Sequence, residues 1–364
     1  DLANNGSHYY ATNHFFGHGH WLWMIPIDTQ LMELSIGIIH HHDVIPAKEI
    51  NTLDKFSSFL ETNHNLLYRL IKSGECIDFH YWPKLAHASK TMLSKDNWYV
   101  IGDAAAMFDA FYSTGLSLIA FTIETVTEVI RAKLAGEEDA EEKRSLYNEF
   151  NLRNIRNTNR LYYHHAKQLG HASIMSHRIY LEYMHWFGIV LPMYAGKWHL
   201  DLKFLSAFVK IAPLQTKLII DIYDQLSQLV DLDSNIGLMD CYQTKLGSYY
   251  PLKELDGFLE NARFEPRRNN IYGSMKSTYF HLALWYAKLR WKGFGPLGLL
   301  NLRHLYRFCQ LLLLSGRLAL IEAIYKFKTK HLPANSQIAQ MHQEFKSYRY
   351  RPELQPQGKS EMCK

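Results

Sequence analysis

Cysteine is scarce. The four in 364 residues, Cys76, Cys241, Cys309 and Cys363, stand far apart with no CxxC spacing, which argues against a zinc knuckle or a disulfide framework and fits a reducing cytoplasm. No stretch holds eighteen uncharged apolar residues, and the first residues contain no basic segment followed by an apolar one. Neither a transmembrane helix nor a signal peptide is therefore expected. No Met opens the chain, and Asp1 leads into sequence of strand character, so an amino-terminal truncation is the expectation. The GxGxxG turn of a first βαβ unit is also missing. Gly17-His18-Gly19-His20 does not replace it, because it lies in alternating strand sequence with no helix behind it. No internal repeat and no groove-reading motif is present, which leaves nucleic acid out of the expected partners.

What the chain does have is enough apolar content, 47%, to fill a substantial core. Its 23 Tyr and 8 Trp exceed what a minimal scaffold needs and suit clefts for flat ligands. The formal charge of +5 is unevenly placed: thirteen Lys or Arg stand against Glu265 and Glu322 between Arg263 and Lys330, a local balance of +11 that leaves about −6 elsewhere.

Residues 9 to 42 alternate and are rich in β-formers (Tyr9 to Thr12, His18 to Ile27, Leu34 to His40), with a turn at Asp28-Thr29-Gln30. This predicts an antiparallel meander. Apolar spacing over 46–72 predicts one or two helices beneath it, and Glu75 to Leu85 returns to strand character. Trp98 to Ile101 is read as a short buried strand ending in Gly102-Asp103, followed by a loop and a long helix from Gly115 to Leu134. Acidic residues Glu137 to Glu142 read as a solvated helix start. The remainder is mostly helical, interrupted near Pro192, Pro213, Pro251, Pro266 and Pro296, with a polar tail after Pro333. The expected divisions are 1–136, 137–332 and the tail 333–364.

A strand ending in Gly-Asp lets the backbone approach a ligand while the carboxylate accepts bonds from ligand hydroxyls. Twelve residues on, Ser113-Thr114-Gly115 presents amides at a helix start, where the macrodipole favours an anion or an electron-rich ring edge. Each feature alone is common in ordinary turns and caps. Together, Gly102-Asp103-Ala104-Ala105, Asp109-Ala110-Phe111 and Ser113-Thr114-Gly115 resemble the second FAD motif of the flavin-dependent halogenases and their FAD-dependent monooxygenase superfamily, GDAA then DPF and SxG. Ala110 stands where the family usually has Pro. Trp21-Leu22-Trp23-Met24-Ile25-Pro26 is similar, residue for residue, to the halogenase signature WxWxIP, about eighty residues before the Gly-Asp loop.

The resemblance implies a partial α/β fold of the FAD-monooxygenase type, its first βαβ unit absent, with a mainly helical carboxy-terminal region. It implies FAD held by Gly102, Asp103, Ala104, Gly115 and Leu116, with Asp103 on the ribityl chain, and chloride or another halide on the Thr114 and Gly115 amides. Trp21, Trp23, Phe111 and Tyr112 would then face a substrate tunnel. Reduced flavin from a separate reductase would react with dioxygen, and the oxidised halide would travel to an electron-rich aromatic or carrier-bound substrate. Tyr112 lies where tryptophan-specific members carry a Glu, which points to phenol, pyrrole or carrier-tethered substrates. The family's catalytic Lys is not found in this chain, so the polypeptide alone is expected to be inactive.

A hydroxylating FAD monooxygenase and an inactive module attaching to a membrane or an acidic carrier remain as alternatives. The basic, aromatic segment from Phe280 to Lys330 reads equally as internal packing with a basic rim, as a lid, or as such a dock. Histidines at 14, 18 and 20, at 40–42 and at 164–165 invite a metal, but no third ligand stands at matching spacing, so none is expected.

Overall fold

The computed structural model describes residues 12–28, 33–238 and 271–329. The chain divides into two units, one of residues 1–179 and 202–239, the other of residues 180–201 and 240–364. The expected boundary near 136–140 falls at a helix–helix turn inside the first unit.

The first unit opens with the predicted antiparallel meander: β1 (Asn13–Gly17), β2 (His20–Asp28) and β3 (Glu33–His40), in that spatial order. Tyr9 to Ala11 and Thr29 to Gln30 lie outside the described residues. Register puts Phe15 beside Leu22 and Leu22 beside Ile38, while Phe16 faces Trp21 and Trp21 faces Ile39. Because strand side chains alternate, these two sets lie on opposite faces, and both faces are covered. Leu22 packs with Phe56, Leu60 and Leu67 of α1 (Leu53–Asn63) and α2 (Asn65–Lys72). Thr52 starts α1 by accepting the Lys55 amide on its hydroxyl at 3.4 Å. Gly37 is obligatory in β3 because a Cβ there would meet the Trp23 ring at 2.1 Å.

Beyond α2 the structure departs from the strands expected. Glu75 to Leu85 forms no strand, and Ile77 and Trp82 lie exposed. Trp98 to Ile101 is not a buried strand either: Tyr99 makes one isolated bridge to Leu93, and Trp98 and Ile101 are exposed. Both stretches have β-formers, but pairing needs a neighbouring strand, and none lies beside them among the described residues. The pairing that forms is short, β4 (His87–Ala88) with β5 (Ala106–Met107).

The long helix is present as α3 (Thr114–Leu134), packed on α4 (Ala140–Arg160). Phe121 meets Phe150 edge-on at 5.6 Å, and the buried Asn151 amide donates to Thr125 at 2.9 Å. The acidic stretch is more than a solvated start: Lys143, nearly buried, pairs with Glu137 at 2.7 Å, Glu128 at 3.0 Å and Asp139 at 3.2 Å. Hydrogen bonds from Arg131 and then Lys143 hold Glu137 down to about 2. Next come α5 (His165–Leu169), α6 (Ala172–His185) and α8 (Leu202–Asp231). Pro213, expected to interrupt, lies within α8, which continues through it. Buried Arg178 of α6 donates to the Leu161, Tyr163 and Gln168 oxygens and lies 4.0 Å over the Tyr223 ring, fixing the bend after α4.

The second unit contains the end of α6, a π-helical turn at Trp186–Val190, α7 (Leu191–Ala195), α9 (Ile271–Leu299) and α10 (Leu302–Thr329). α9 kinks at Gly295, whose φ of 66° precedes Pro296. α9 and α10 pack on each other, with Lys276 bonded to Glu322 at 2.7 Å and Tyr286 to His304 at 2.7 Å. Leu302–Lys328 is long and apolar enough to cross a membrane by length and composition, although no eighteen-residue run in it is free of charge. Pro251, Pro266 and the tail after Pro333 lie outside the described residues.

Candidate functional site

The second FAD-type motif is built from the loop that α4 holds. Asn148 accepts the Met92 and Leu93 amides at 2.9 Å each, and Arg144 donates to the Leu93 carbonyl at 2.6 Å. That anchors the segment bridged to Tyr99. Three residues later Gly102 adopts φ +59°, and the chain makes a single 3-10 turn over Gly102–Ala104. A Cβ at Gly102 would meet Ile119 of α3 at 3.4 Å, so the turn lies against the first turns of that helix. His87 fixes it from the other side by donating through Nε2 to the Asp103 carbonyl at 2.7 Å. The side chains of Asp103 and Ala104 are exposed.

The start of α3 is left open to an acceptor. Ser113 is held in the left-handed region at φ 52° and makes no side-chain cap. The amides of the first turn therefore have neither a capping hydroxyl nor an intrahelical partner. The Thr114 hydroxyl is buried with no hydrogen-bond partner, while nothing lies within 4 Å of where a Gly115 Cβ would be. Leu116 is exposed. These features suit a large polar ligand that brings its own acceptors: a glycine turn, an uncapped helix start, an orphan hydroxyl and clear space over Gly115.

Beside this lies an aromatic cluster that joins the tryptophan strand to the loop. Trp21 and Phe111 are 2% and 6% exposed, and their rings lie 5.3 Å apart, with Trp23 5.8 Å from Trp21 and Tyr112 4.5 Å from Phe111. All four residues expected to face a tunnel are thus together. Trp23 donates its N–H to Ser35 at 3.1 Å. Trp21 donates to Asp109 Oδ1 at 3.0 Å, and the same oxygen accepts the Phe111 amide at 3.0 Å, closing an Asx turn. Tyr162 donates to the Asp109 carbonyl at 2.5 Å. Burial, only partly offset by those two bonds to the carboxylate, pushes the Asp109 carboxyl up to about 6.

The motif includes Asp109, but sequence alone gives it no role, because its indole partner is 88 residues away. His165, named among the histidines that invite a metal, is given no role by sequence for the same reason. That imidazole is fully buried against Phe111, Tyr112 and Tyr162, 5.4 to 5.7 Å between ring centres, and neither ring nitrogen has a partner. His41 lies 6.2 Å from it, ring to ring. His18, in contrast, shares a two-residue turn with Gly19, and the Gly19 amide donates to Ala166 at 2.9 Å.

No family model matches the chain, and no solved structure does. Flavin-dependent halogenase chlA of Dictyostelium discoideum is 39% identical over 346 residues, which covers 94% of this chain. The chain spans 57% of that protein's length. The likeness extends through the Gly102 turn and the α3 start and over most of the later chain. Over nearly its whole length, the chain is similar in sequence to a flavin-dependent halogenase.

Proposed function

We propose that this chain forms part of an oxidoreductase that halogenates an electron-rich aromatic or carrier-bound substrate, with FAD, a flavin reductase, dioxygen and chloride or bromide as its partners. The observation that carries the reading is the Gly102 turn lying against an uncapped α3 whose Thr114 hydroxyl is buried and unpartnered. FAD fits that donor set. Gly102 lets the backbone come close, Asp103 offers an exposed carboxylate to ribityl hydroxyls, Ala104 and Gly115 add little bulk, and Leu116 adds no charge against the ring system. When bound and reduced, FAD would supply two electrons to dioxygen, and the peroxide-level oxygen so formed would be the oxidant of the halide. The Thr114 and Gly115 amides bind the halide: desolvated N–H donors at a helix start attract an anion without offering a reactive base. Trp21, Trp23, Phe111 and Tyr112 form an apolar wall that keeps water from the oxidised halogen.

The fold proposed for this arrangement is the FAD-monooxygenase type, supported by the spacing of the motifs along β2, the Gly102 turn and α3. A cytoplasmic setting is part of the same reading, supported by the free thiols of Cys76 and Cys309. Attachment to an anionic membrane surface is proposed for α10, on which Leu305, Leu313, Leu320 and Phe327 are exposed among Arg303, Arg307, Arg317 and Lys326.

The test is product analysis. The longer protein of which this chain is proposed to form part is supplied with FAD, a flavin reductase, dioxygen and bromide together with an activated phenol or pyrrole, and products are read by mass spectrometry. A bromine isotope pattern is expected, and Thr114→Pro, which removes one halide amide, should abolish it. Oxygenated product without bromine would move the assignment to a hydroxylase.

A further inference from the structure

We infer that His41, Asp109 and His165 form a site for one divalent transition-metal ion, in the class of Zn²⁺, Fe²⁺ or Co²⁺. The three residues come from different segments: the end of β3, the loop before α3 and the start of α5. One ligand atom from each lies within 4.8 Å of the other two. Two imidazoles and one carboxylate, with no thiolate, are a donor set for these ions that leaves a further position open.

The second observation is independent of that convergence. His165 is completely buried, and both its ring nitrogens lack a hydrogen-bond partner. Buried polar atoms in folded proteins are nearly always satisfied, so an imidazole with two orphan nitrogens points to a ligand that completes it.

The surroundings are those of a supported ligand set. Both bonds accepted by the Asp109 carboxylate fall on Oδ1, from Trp21 and from the Phe111 amide, so Oδ2 remains as its ligand atom. Tyr162 holds the Asp109 backbone through its carbonyl. These contacts orient the carboxylate as outer partners do in metal sites. Arg178 acts as a like charge on both imidazoles and opposes a cation, whereas Asp43, which interacts with His41, favours one.

The inference does not depend on the flavin reading, and its test reads metal directly. Untagged protein is loaded with Co²⁺ and desalted; bound metal is then counted by mass spectrometry and followed by visible ligand-field absorption. One retained equivalent with ligand-field bands is expected. His165→Gln and Asp109→Asn should lose both, and His171→Gln, outside the cluster, should keep them. Trp21→Phe, which frees the carboxylate, should weaken binding by about 10- to 100-fold. Should His165→Gln fail to fold by circular dichroism, His41→Gln at its partly exposed position carries the same prediction. Absence of retained metal in the unmodified protein, or equal retention in all variants, overturns the site.

Discussion

At the scale of single residues, the molecule depends on polar side chains whose partners are distant in sequence. Asp109 joins a strand indole to a loop amide, Asn148 holds two loop amides, and Arg178 satisfies three oxygens beyond α4. None of these roles has a local signature, which is why the motif reading included Asp109 but gave its carboxylate no part in joining Trp21 to Phe111. His20 shows the same dependence with a consequence for pH. It is 4% exposed, and its Nε2 lies 2.7 Å from His64 Nε2, one ring donating and the other accepting. Burial, partly opposed by a backbone bond to His18, lowers its pKa to about 4, and burial lowers His64 as well. The unfolded chain takes up these protons nearer pH 6.5. Between pH 6.5 and 4 the unfolded state therefore binds more protons, and stability falls as pH drops through that window. Urea unfolding should give a lower midpoint at pH 5 than at pH 7, with the gap narrowed in His20→Gln. An undiminished gap in that variant would assign the pH dependence to other groups.

Among the elements, those with a strong period of their own were legible and those that need a partner strand were not. The alternation over His20–Asp28 gave β2 its two faces, and the apolar spacing after Gly115 gave α3 nearly to its ends. Glu75–Leu85 and Trp98–Ile101 have similar β-forming content, yet the first is irregular and the second makes one bridge. Strand formation is settled by what lies alongside, and local sequence does not report that. Pro213 misled for a related reason, since a helix as long as α8 can absorb the lost hydrogen bond within one turn. Gly37 is a quieter case: nothing in the sequence marks it, but the Trp23 ring crosses β3 at that position. Gly37→Val should displace the ring and cost about 1–3 kcal/mol as overpacking. A urea midpoint unchanged from the unmodified protein would mean that Trp23 can leave β3 freely.

For the whole molecule, charge and relatedness carry the account. The excess of basic residues between Arg263 and Lys330 gives α9 and α10 of the second unit a character unlike the rest of the chain. The similarity to the Dictyostelium halogenase extends over 94% of the chain and so includes that region as well as the Gly102 turn and α3. The central claim nevertheless rests on one place, the Gly102 turn against the start of α3. FAD titration followed by fluorescence anisotropy tests it directly, comparing the unmodified protein with Gly102→Val. Valine is strained at φ +59° and would also press on Ile119. The account predicts FAD binding weakened by roughly tenfold or more, with circular dichroism unchanged. Equal affinity in the two proteins would contradict it, because the turn would then have no part in holding the flavin.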